Sequence, residues 1–112
     1  MEREQMTRIV ESAYKKYSEL KSEITRGFIT FNHMKIVSDA LHLKELKNEE
    51  LSDMWNISYN FFDKMLYEFD KNAKIIGLKP YSEETEFVKD TQSAWSEIIN
   101  EEARKRRREG LM

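Results

Sequence analysis

Two histidines, His33 and His42, mark where metal or nucleophilic chemistry would have to be built in this sequence. Asp39 and His42 are three residues apart and Ser38 and His42 four, spacings that share one face of a helix. A triad nevertheless fails to form: Asp39 stands about 100° from Ser38 around a helix, and no feature supplies donors for an oxyanion. A bound metal needs three or four matched ligands, and a helical di-iron site needs two acid–histidine pairs plus further glutamates. The carboxylate pairs Glu49–Asp53 and Glu97–Glu101 fall opposite or beside the apolar stripes, where little would desolvate them to tune a pKa. We therefore expect no catalytic, cofactor-binding or metal-ligating residue, and no enzyme.

The stretch RGFITFNHMKIVSDAL (26–41) raises calcium as a further possibility, because glycine is followed two residues later by isoleucine and then by a helix. With Gly27 at position 6 of a calcium loop, positions 1, 3 and 5 are Ser22, Ile24 and Arg26, and position 12 is His33. A hard cation needs carboxylates at those places. DKNAKIIGLKPY (70–81) does no better, with Ile75 in the glycine slot and Tyr81 in the glutamate slot. Phosphate-wrapping loops are excluded by glycine use, since Gly27, Gly77 and Gly110 each stand at an expected helix end. Residues 36–55 have the outline of a DNA-reading pair of helices. Their second helix opens on NEELSD, however, and those glutamates would face phosphate oxygens.

The elements that carry these residues are helices. Met6, Val10, Ala13, Tyr17, Leu20 and Ile24 recur at intervals of four and three, predicting a helix over 3–25 that Gly27 ends. Met34, Val37 and Leu41 predict a short helix over 32–43, capped by Thr30 or Asn32, with Phe28, Ile29 and Phe31 plugging the bundle end. Leu51, Trp55, Ser58, Phe62, Met65, Phe69, Ala73 and Ile76 form the core stripe of a third helix, 49–76, roughly 40 Å long. Asn48 is its expected N-cap, Glu49 and Glu50 suit its first turn, and Gly77, Leu78 and Pro80 stop it. The fourth, 83–108, starts after Ser82 and carries Phe87, Thr91, Ala94 and Ile98, flanked by Val88, Trp95 and Ile99. Its apolar stripe ends near Ile99, and nothing in the stretch beyond calls for burial. The expected fold is all-α, a small helical bundle of three long helices and one short.

The chain of 112 residues suits one domain, read as 1–103 with 104–112 as a basic extension of the last helix or a disordered tail. There is no cysteine, hence no disulfide framework and no thiolate chemistry. With no apolar run of membrane-spanning length and no apolar region near the start, the chain reads as cytoplasmic without a membrane partner. Its Lys, Ile, Asn, Glu and Tyr usage is compatible with a low-GC bacterium or phage.

Two surfaces remain as sites. Residues 1–103 hold 14 basic and 20 acidic side chains, whereas 104–112 hold 5 and 1. Arg104, Lys105, Arg106, Arg107 and Arg108 would attract phosphate or an acidic protein without sequence information, or simply complement the helix dipole. The third helix also carries Ile57, Phe61 and Ile75, about 100–200° away from Trp55, with Tyr67 on the other flank. These side chains need cover from the second helix, a second copy of the chain or a partner protein. The reading is a non-catalytic protein-binding module, an adaptor, inhibitor or assembly factor. Its alternatives are a nucleic-acid-associated protein held by the basic run, or a self-associating subunit of an assembly.

Overall fold

A computed structural model describes residues 1–19, 31–75 and 83–111. Four α-helices follow in order: α1 (Arg3–Glu19), α2 (Phe31–Ala40), α3 (Asn48–Ile75) and α4 (Glu83–Arg108). A 3-10 turn, Leu43–Glu45, links α2 to α3, and the described residues contain no strand. The fold is an all-α bundle. The expected end of the first helix, the caps at Thr30 and Ser82, and the stop at Gly77–Pro80 lie outside the described residues.

α3 and α4 form the long pair at the centre of the packing. Asn48 meets Arg106 and Asp63 meets Gln92, so the two helices run antiparallel. α1 packs on α3, while α2 lies against α1, the 3-10 turn and α4. The long pair makes the molecule elongated, with extents of 52 × 30 × 20 Å and a radius of gyration of 15.0 Å. A spherical domain of this length would have a radius of about 13 Å.

The buried side chains largely follow the apolar periodicity. Met6, Val10, Ala13 and Tyr17 come from α1, Val37 from α2 with Leu41 just beyond its end, and Val88, Thr91, Ala94, Trp95, Ile98 and Ile99 from α4. Trp95 is the hub. Its ring stands edge-on to Phe62 at 5.0 Å, Tyr17 at 5.8 Å and Tyr14 at 6.4 Å, the T-shaped geometry that aromatic quadrupoles favour.

Four local features differ from the sequence expectation. On α3 the buried arc is turned by about one residue: Met54 is fully buried and Trp55 only half. α2 ends at Ala40 rather than residue 43, because His42 adopts the left-handed conformation (φ 54°) normally left to glycine or asparagine. Asn32 lies inside α2 and so cannot be its cap. Asn48 does not cap α3 either. Its first turn is closed by Glu50, whose Oε1 accepts the Lys47 backbone N–H at 2.8 Å, three residues back, as in a capping box.

Candidate interface on the α3–α4 flank

The basic run is the last turn of α4, and helical geometry sends its members to different places. Arg106 is buried, with 8 % of its surface exposed. Its guanidinium donates to the Leu43 carbonyl at 2.8 Å, Asn48 Oδ1 at 3.0 Å and Glu102 Oε1 at 3.1 Å. The expectation that nothing beyond Ile99 is buried is thereby corrected: Ala103 also packs against the core, and Arg106 gives the Leu43 carbonyl of the 3-10 turn a second donor beside the Leu46 N–H at 3.2 Å. Arg104 pairs with Glu97 and with Glu101, and Arg108 with Glu101 at 3.0 Å. Hydrogen bonds from Arg108 and then Arg104 hold the Glu101 carboxyl below the ordinary range. Lys105 and Arg107 have no ion pair among the described residues.

Backbone geometry completes the helix end. Leu111 N–H donates to the Arg106 carbonyl at 2.8 Å and Gly110 N–H to the Arg107 carbonyl at 3.1 Å, with Gly110 at φ +73°. This is a Schellman closure, which satisfies the last carbonyls without side-chain cations. Asn48 Nδ2 then donates to the Leu111 carbonyl at 2.8 Å, so one amide ties the start of α3 to both Arg106 and the turn after α4.

The apolar positions singled out on α3 separate in the same way. Ile57 is buried and belongs to the core, so it is not available to a partner. Phe61 is half-buried, covered from α1 by the Tyr14 ring at 5.7 Å rather than waiting for a second chain. The side chain of Ile75 lies outside the described residues. Tyr67 is 64 % exposed. Trp55, Tyr59, Asp63 and Tyr67 recur at four-residue spacing, a row that winds by about 40° per step, so that Tyr67 stands about 120° around α3 from Trp55. Trp55 and Tyr59 stack at 4.9 Å with 10° between their planes, and Tyr59 is 36 % exposed. Gln92 reaches across from α4 and donates to the Tyr59 carbonyl at 3.0 Å and Asp63 Oδ1 at 2.8 Å, fixing the two helices at mid-flank.

At the end of this row nearest the start of α3, a hollow of about 380 Å³ opens between α3 and α4. Leu51, Trp55 and Ile99 give it apolar lining, and Ser52, Asn56, Asn100 and Arg107 supply polar groups. No aspartate or glutamate lines it. The buried indole N–H of Trp55 has no acceptor among the described residues. The sequence signal for this flank was present in the interval Trp55, Tyr59. It was hidden because Trp55 also fits the core stripe.

The residues weighed for chemistry do not converge. His42 has left the helix that carries Ser38 and Asp39, and its Nδ1 lies 3.4 Å from Glu45 Oε2 instead. The region 20–30 of the calcium-like stretch lies outside the described residues, as does the side chain of His33. Among the described residues no group of three His, Asp or Glu side chains is placed to hold a metal, and no helix is long and apolar enough to cross a membrane. Compared with models of protein families, with curated proteins and with solved structures, the chain shows no match.

Proposed function

We propose that the protein is a non-catalytic binding module that docks a protein partner on the α3–α4 flank. The observation that carries this reading is the stacked pair Trp55 and Tyr59, half-buried to exposed, with Trp55 lining a hollow between α3 and α4. Tyrosine and tryptophan are concentrated at protein interfaces, where large rigid rings with a polar edge give contact area at low entropic cost. Two of the four exposed large apolar side chains among the described residues are tyrosines of α3. The basic run favours the same reading. Three of its five cations are already engaged within the fold, which leaves only Lys105 and Arg107 for phosphate.

The test is cross-linking and capture of partners from cells that make the protein, using the wild type and Tyr59→Asp/Tyr67→Asp. Loss of a specific partner in the double variant, with helicity by circular dichroism unchanged, supports the flank. Retention of every partner refutes it. A parallel titration of labelled DNA and RNA separates the nucleic-acid alternative. Binding of about 10⁻⁴ to 10⁻⁶ M that weakens with salt and disappears in Lys105→Gln/Arg107→Gln would replace the proposal. Sedimentation of the free protein at micromolar concentration reads self-association.

A further inference from the structure

We infer that the hollow between α3 and α4 receives an acidic segment of the partner protein, with a carboxylate on Arg107 and an adjoining apolar side chain against Leu51, Trp55 and Ile99. This rests on the flank being a protein interface. The argument is charge complementarity at a defined place. The protein carries a net charge of −2, and each of the other three arginines of the run is paired with a carboxylate, Arg104 and Arg108 sharing Glu101. Arg107 has none among the described residues, and the Schellman closure removes the need for it at the helix carbonyls. Its guanidinium therefore stands uncompensated at the edge of a hollow that holds no acid. A basic ligand would find no counter-charge there.

The remaining polar groups point to the same chemistry. Asn56, Asn100 and Ser52 can donate to a carboxylate, as can the unpaired indole N–H of Trp55 once its half-buried ring adjusts. Trp95 has an unpaired N–H as well, but that ring is fully enclosed in the core and out of reach. The second hollow nearby offers a contrast. Lys44, Lys105 and Arg106 line it, but so do Glu102 and Glu109, which would repel an acidic ligand. A volume of about 380 Å³ lies at the small end of ligand pockets, enough for one or two side chains rather than a folded surface. A phosphate backbone fits less well, because it would run from a single arginine along a row that contains the exposed Asp63.

The probe is a library of random 12-residue peptides displayed on phage and selected against the full chain, with the best peptide then titrated into ¹⁵N-labelled protein. Selected sequences should place Asp or Glu next to Leu, Ile or Phe, and the Trp55 indole N–H signal should move on binding. Arg107→Gln should weaken the peptide by about tenfold or more, the loss expected for a charge-assisted hydrogen bond, and Lys105→Gln should not. Three results would overturn the inference: no enriched peptide, peptides without acids, or equal effects of the two substitutions. The interface reading would survive any of these if Tyr59→Asp/Tyr67→Asp still loses its cellular partner. Single-stranded DNA that shifts the same indole signal and is released by salt would overturn both.

Discussion

Arg106→Ala tests whether a helix register, rather than a block of positive charge, determines what the basic run does. The substitution removes three hydrogen bonds to a carbonyl, an amide oxygen and a carboxylate. Both members of the Arg106–Glu102 pair are largely shielded, with side chains 10 % and 13 % exposed. Breaking such a pair from one side leaves Glu102 without its shielded donor and the Leu43 carbonyl with the Leu46 N–H alone, and losses of this kind run to about 3 kcal/mol. With an unfolding entropy of about 2.1 cal/mol/K per residue, 1 kcal/mol moves Tm by roughly 4 °C in a domain of this length. Arg106→Ala should therefore lower Tm by about 12 °C in a calorimetric or circular-dichroism melt. Arg106→Met, which keeps the apolar stem, should recover only the packing share of about 1 kcal/mol. Arg107→Ala, one residue on and without an internal partner, should stay within about 0.5 kcal/mol, or roughly 2 °C, of the wild type. Equal melting of the Arg106 and Arg107 alanine variants would refute the reasoning.

Gly110→Ala meets no neighbour within 4 Å, so its cost is backbone strain at φ +73° alone, about 1 kcal/mol or roughly 4 °C in the same melt. Gln92→Leu fills the same space but loses both bonds to α3, and urea unfolding should show a loss of about 1 kcal/mol. Trp95→Ala removes the ring on which Phe62, Tyr14 and Tyr17 converge, and should cost about 3–5 kcal/mol, enough to unfold a marginal domain at room temperature. Acid sensitivity follows from two carboxyls held below their ordinary value of 4.5: Glu50, by the Met1 amino group and the Lys47 N–H, and Glu101, by Arg108 and Arg104. A depressed folded-state pKa gives stability that is fully present above the unfolded value and lost as pH falls through the folded one. Urea midpoints should therefore fall steadily below pH 4.5, and less steeply in Glu50→Gln and Glu101→Gln.

The fold was legible because each helix writes its buried stripe in intervals of three and four. The stripe from Met6 to Tyr17 is buried as its spacing requires; on α4 Thr91, Ala94 and Ile98 are buried together with their expected flanks Val88, Trp95 and Ile99, while Phe87 is only half-buried. α3 was harder to read. It packs on both α1 and α4, so its buried arc is broad, and periodicity alone could not decide whether Met54 or Trp55 sits at the centre. That one-residue ambiguity concealed the flank on which Tyr59 stacks on Trp55. His42 gives no sequence signal of its left-handed turn, since the residue usually found there is glycine. Arg106 was invisible among like neighbours by composition. It could have been found by counting, because it continues the interval Ile98, Glu102, Arg106 past the last apolar residue.

The Asn48 bridge and the buried Arg106 also shape how sequence can vary here. Across 104–108, tolerance to substitution should be serrated rather than uniform: a notch at Arg106, where only a guanidinium reaches three acceptors in different directions, between free positions at Lys105 and Arg107. A five-residue basic block is thus two populations of residues interleaved by the helix, one constrained by folding and one open to selection for whatever the flank binds.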